Sequence, residues 1–98
     1  MNAFETELGI VTLMEKQHQE EEGVVDEVVI LSSKLEQDRI KSEIRKLFKD
    51  AEMYPNKVEW KFTEVNGPIM VHLRYVDTDD LIKLRSYLES NLKNKKIC

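Results

Sequence analysis

Two short segments in the second half of the chain alternate between apolar and polar residues, with Met70 at one of the polar positions. This period of two runs through residues 57–63 and again through residues 69–75, and it is typical of a β-strand with one buried and one solvated face. Asn66-Gly67 separates the two segments, and this dipeptide is the strongest short-range signal for a hairpin. The pattern therefore predicts an antiparallel hairpin. The second strand would place four residues on its dry face: Ile69, Val71, Leu73 and Tyr75.

Two longer segments, residues 34–53 and residues 78–93, repeat their apolar residues at the helical spacings of three and four. The first follows Ser33 and carries Glu36 three residues later, which is the capping-box pattern of a helix N-terminus. The second has a single apolar stripe, formed by Leu81, Leu84, Leu88 and Leu92. Acidic residues at its start and lysines at its end suit the helix dipole, so these charges are explained without a functional site.

Residues 24–31 are mostly β-branched and apolar, which predicts a central strand. Together with the hairpin and the two helices, this strand gives the order β-α-β-β-α in one domain that spans residues 24–98. The simplest packing of these elements is an α+β fold, a three-stranded antiparallel sheet with two helices on one face.

The first part of the chain has the weakest pattern. Its apolar residues fit a helix: Phe4, Leu8, Val11 and Met14. Residues 8–14 also fit an additional strand. Residues 1–31 have a net charge of −7, whereas residues 32–98 have a net charge of +3. We therefore expect residues 1–23 to form an acidic N-terminal helix or arm ahead of the domain.

The sequence lacks the residues that most catalytic sites need. Its one cysteine is Cys98, so no internal disulfide is expected and the chain suits a reducing compartment. His18 lies in the acidic segment, and His72 is predicted on the wet face of a strand. Three glycines are too few for a phosphate-binding loop. We therefore expect a protein that is not an enzyme, with no cofactor and no metal site.

Charge and size favour a protein partner over a nucleic acid. The net charge of −4 argues against independent binding of phosphates. A chain of 98 residues buries only a modest core, so association with another chain would add buried area. Two other hypotheses stay open. One is a small acidic inhibitor or nucleic-acid mimic that acts through residues 1–31. The other is an RNA-binding accessory module that uses the sheet face: Lys57, Lys61, His72 and Arg74.

The segment from Ile69 to Leu92 resembles the small dimerisation subunit of the KEOPS (EKC) complex. In that family a strand is followed by an aspartate, then by Leu-Arg and a small residue, and then typically by Asn-Ser and a leucine; Glu89 stands here where asparagine is usual. Six residues match this pattern: Asp80, Leu84, Arg85, Ser86, Ser90 and Leu92. The resemblance covers about residues 26–93 and includes the order β-α-β-β-α.

The resemblance implies a function. Subunits of this family are not enzymes; they dimerise and bind the catalytic subunit of the complex that installs threonylcarbamoyladenosine in tRNA. The chain would then be a cytoplasmic scaffold in a homodimer or heterodimer, and nucleic acid would be contacted only indirectly. The implied partner-binding surface lies on the last helix: Leu84, Arg85, Leu88 and Leu92.

Overall fold

The structure is a computed structural model that describes residues 2–17, 24–91 and 93–97. These residues form six strands and two helices. The strands are β1 (Asn2–Glu5), β2 (Gly9–Gln17), β3 (Val24–Ser32), β4 (Glu59–Glu64), β5 (Ile69–Val76) and β6 (Lys95–Lys96). The helices are α1 (Gln37–Asp50) and α2 (Thr78–Ser90). Neither helix is long and apolar enough to span a bilayer.

All six strands belong to one antiparallel sheet in the order β4-β5-β3-β2-β1-β6. The predicted three-stranded sheet was therefore wrong in its strand count, although the α+β class and the β4–β5 hairpin are confirmed. The expected order β-α-β-β-α is present as β3-α1-β4-β5-α2, in which β5 lies between the parallel strands β3 and β4. The sheet is wider because β2, β1 and β6 continue it beyond β3.

The predicted acidic N-terminal helix was wrong, because β1 and β2 form a hairpin that pairs with β3. Val11 and Leu13 lie opposite Ile30 and Val28, and all four side chains are at most 1% exposed. A strand satisfies the backbone groups along that edge of β3, which a helix would leave without ladder partners. The acidic run of residues 20–22 lies outside the described residues.

The helices cover one face of the sheet, as predicted, and this contact forms the core. Helix α1 contributes three buried residues: Ile40, Ile44 and Phe48. Helix α2 contributes three more: Leu81, Leu84 and Leu88. On the sheet, Phe4, Val11, Ile30, Val71 and Phe62 follow one another across five strands and share this face. The N-terminal hairpin is thus part of the same core as the predicted domain.

The start of α1 differs from the predicted capping box. The helix begins at Gln37, its N-cap is Glu36, and no side chain caps it. Ser33 instead stays beside the sheet, because its backbone N–H donates to the carbonyl of Leu8 at 3.0 Å and its hydroxyl donates to the same oxygen at 3.3 Å. Contact with Leu8, in the turn that precedes β2, therefore holds the serine four residues before the helix.

A β-bulge changes the faces of the residues at the end of β5. The register with β3 shifts between Asp26 and Glu27, and Tyr75 adopts a left-handed φ of 64°. Because one extra residue turns the strand over, Tyr75 is 47% exposed and Val76 is buried at 3%. The expectation that Tyr75 lies on the dry face was therefore wrong.

Candidate functional site

The residues predicted to bind a partner do not lie together on the surface of α2. Leu84 and Leu88 are 0% and 1% exposed, and both belong to the core. Arg85 is half-buried, and Leu92 lies outside the described residues. On the solvent side of α2, the exposed apolar residue is Ile82, which is 49% exposed. A partner of this helix would therefore meet Ile82 and its neighbours, since the leucine stripe packs within the chain.

The opposite face of the sheet is covered by neither helix, and we call it the open face. Its residues form rows across the strands because side chains directly opposite in an antiparallel pair point to the same side. The first row is Thr63, Met70, Leu31, Ile10, Glu5 and Lys95. The second row is Lys61, His72, Val29, Thr12 and Ala3. The third row is Glu59, Arg74, Glu27 and Met14.

The middle of the open face is apolar. Its centre is Leu31, flanked in the first row by Met70 and Ile10 and next to Val29 in the second row. We name these four residues, together with Met14, the apolar patch. Leu31 and Ile10 are each 36% exposed, and the other three are partly exposed. A solvated face of an antiparallel sheet normally carries polar side chains at these positions, so the patch is a candidate contact surface.

One corner of the open face is charged, and we call it the charged corner. Glu27 is only 4% exposed and lies at its centre. Its carboxylate oxygens are 3.7 Å from Nε of Arg74 and 3.9 Å from Nε2 of His72. Arg74 also lies 3.5 Å from the carboxylate of Glu59. Two carboxylates therefore flank the arginine and reduce the positive field that it presents to an approaching phosphate.

The open face brings a histidine, His72, close to a carboxylate, Glu27. Among the described residues, no group of three or more His, Cys, Asp or Glu side chains is placed to hold a metal ion. His72 and Glu27 lie near each other on β5 and β3, but both face a flat sheet surface and not a cleft. Catalytic pairs generally work in a pocket that excludes water. The second histidine and the cysteine of the sequence, His18 and Cys98, lie outside the described residues.

Sequence reasoning missed the open face because it missed β2 and β1. One signal was nevertheless present: β3 is apolar at successive positions from Val28 to Leu31, a pattern typical of a strand that is covered on both faces. Comparisons with protein-family models, with curated proteins and with solved structures find no match for this chain. The resemblance noted in residues 69–92 thus stays a prediction.

Proposed function

We propose that this protein is a non-catalytic interaction subunit that dimerises through the open face of its sheet. The observation that carries the proposal is the apolar patch on a face that neither helix covers. Burying such a patch against a second copy removes apolar area from water, which is the main driving force of protein association. It also covers the second face of β3, whose sequence is typical of a strand buried on both sides.

The charges of the open face favour a second copy of this chain as the occupant. The described residues of the face include three acidic and three basic side chains: Glu5, Glu27, Glu59, Lys61, Arg74 and Lys95. In a two-fold interface the same surface meets itself, so a strongly charged face would repel its copy. These six charges of the three rows sum to zero, so the rows avoid this repulsion and lack the positive excess that RNA binding requires.

The size of the open face sets the expected strength of the dimer. Strands lie about 4.8 Å apart and rows about 7 Å apart, so the face measures roughly 24 by 20 Å. Two facing copies would bury about 1,000 Å² in total, which is at the low end for a specific interface. We therefore expect a dimer that dissociates on dilution and that adopts the face-to-face arrangement of a β-sandwich.

The sequence resemblance supplies a role for such a dimer. Face-to-face packing of the sheets leaves both pairs of helices on the outside, where each can contact a copy of a larger subunit. In a KEOPS-like complex that subunit would be the catalytic one, and the exposed side of α2 around Ile82 and Arg85 would be its contact. The chain then acts as a cytoplasmic scaffold, with tRNA contacted only through its partners.

The test is the oligomeric state of the full chain, measured by sedimentation velocity over a range of concentrations. The unmodified protein should dimerise, and Leu31→Lys should be monomeric, because a lysine would place two ammonium groups in an apolar interface. Ile82→Lys is the matched control, since it makes the same kind of change on exposed α2. A monomer at all concentrations, or a dimer that survives Leu31→Lys and is lost with Ile82→Lys, would contradict the proposal.

A further inference from the structure

A groove runs between α1 and the edge strand β4, on the helix side of the sheet and away from the open face. We call it the α1–β4 groove. Its cavity has a volume of about 450 Å³, which is within the usual range for a binding pocket. Nine residues line it: Arg45, Phe48, Lys49, Met53, Tyr54, Pro55, Asn56, Val58 and Trp60. No acidic residue is among them, although the whole chain has a net charge of −4.

The groove combines cations with aromatic rings. Arg45 lies over the ring of Trp60 at 5.9 Å, and Lys41 lies over the ring of Phe62 at 5.4 Å. The two rings stack on each other with centroids 6.2 Å apart, and Phe48 packs against Trp60 at an angle of 57°. The ring of Trp60 thus holds Arg45 along the wall of the groove, and the pair of Lys41 and Phe62 lies next to it, outside the lining.

The outer edge of β4 lies beside this groove. β4 ends the strand order at this side, and no strand within residues 2–17, 24–91 or 93–97 pairs with its outer edge. Unpaired N–H and C=O groups along an edge strand accept a further strand from another chain. The groove adds an apolar pocket and two cationic side chains within reach of such a strand.

We propose that the α1–β4 groove binds an extended acidic peptide segment of another protein. The segment would pair its backbone with the outer edge of β4 and place one apolar side chain in the cavity beside Phe48, Met53 and Trp60. Its carboxylates would meet Arg45 and Lys49, which have no acidic neighbour in the lining. Charge complementarity therefore selects an acidic segment, and the free edge selects an extended one.

The same features argue against single-stranded RNA as the occupant. Nucleic-acid bases bind by stacking on open aromatic faces. The faces of Trp60 and Phe62 are already engaged by each other and by Arg45 and Lys41. Displacing these cations to admit a base would also remove the charges that attract phosphate. A peptide needs neither face, since it uses the strand edge and the cavity.

The experiment measures fluorescence polarisation of a labelled peptide in which glutamate alternates with valine or phenylalanine. The full chain should bind it, and Arg45→Glu should weaken binding about tenfold or more by reversing a charge in the groove. Lys83→Glu is the matched control, because it makes the same charge change on exposed α2 and should leave binding unchanged. The variant Leu31→Lys should also bind the peptide, which keeps this result separate from dimerisation.

Two further probes decide the mode of binding. A peptide of the same sequence with alternate backbone nitrogens methylated should lose affinity, because it cannot donate hydrogen bonds to β4. A peptide with lysine in place of glutamate should bind weakly. Equal affinity for the methylated peptide or for the lysine peptide would overturn the proposal. The proposal would also be overturned if the protein bound an oligouridine and not the acidic peptide, and if Arg45→Glu abolished that binding. RNA would then be the occupant of the groove.

Discussion

Replacing Gly9 by alanine should destabilise the protein more than the same replacement at Gly67, the other glycine described in a turn. Gly9 begins β2, has a φ of +140° and lies opposite Ser32 of β3. A Cβ atom at this position would collide with the carbonyl oxygen of Leu31 and lie 2.9 Å from Cα of Ser32. Both contacts are with backbone, so a side-chain rotation cannot relieve them.

The expected loss has two parts. An alanine held in this region of φ costs about 1–3 kcal/mol, and moving β3 away from β2 weakens hydrogen bonds worth about 1 kcal/mol each. The total of about 3–5 kcal/mol is a large share of the stability of a domain of this size. Gly67→Ala is the matched control, because Gly67 has a φ of +102° but a Cβ atom added there would meet nothing within 4 Å beyond its chain neighbours. The Gly67→Ala variant should therefore lose only the free energy that is needed to hold an alanine at a positive φ.

The assay is urea unfolding, followed by the fluorescence of the single tryptophan, Trp60, and by circular dichroism. With a slope of about 1 kcal/mol per molar urea, Gly9→Ala should lower the midpoint by about 3–5 M and Gly67→Ala by about 1–3 M. The substitution could also detach the β1–β2 hairpin while the rest of the domain stays folded. Hydrogen exchange of the backbone amides that bond β2 to β3 would detect this local unfolding. Equal effects of the two substitutions would refute the close approach of β2 to β3.

Three other substitutions test the fold and its charges by the same unfolding assay. Phe4→Ala should cost about 3–5 kcal/mol, because Phe4 is 1% exposed in the core; a neutral result would restore the idea of a detached arm. Arg74→Met should cost about 1 kcal/mol by removing a cation that lies 3.7 Å from the buried Glu27, whereas Lys61→Met on the same face should be neutral. Glu52→Gly should stabilise the protein by about 0.5–1 kcal/mol, since Glu52 follows the C-cap of α1 and has a left-handed φ of 60°.

The position of the N-terminal hairpin changes how the competing hypotheses can be tested. Removal of residues 1–22 would separate an acidic arm from a folded domain only if the arm were independent. In this fold the truncation deletes β1 and β2 and with them the whole β2–β3 ladder, together with the buried side chains of Phe4, Val11 and Leu13. We expect such a truncated chain to be unstable, so point substitutions on the open face are the sharper test.

Several elements were determined by local sequence alone. The period of two in residues 57–63 and 69–75, with Asn66-Gly67 between them, specified the β4–β5 hairpin. The leucines of α2 specified which side of that helix is buried. These predictions succeeded because turn geometry and side-chain period act over a few residues and do not depend on distant partners.

The tertiary structure decided the features that matter most for function. Residues 8–14 suited a helix or a strand, and pairing with the free edge of β3 selected the strand, because a ladder satisfies backbone groups that a helix there would not. That choice set the width of the sheet and placed Ile10 opposite Leu31 and Met14 opposite Glu27 on the open face. Which of two apolar faces is covered depends on contacts between distant segments, and no local pattern contains that information.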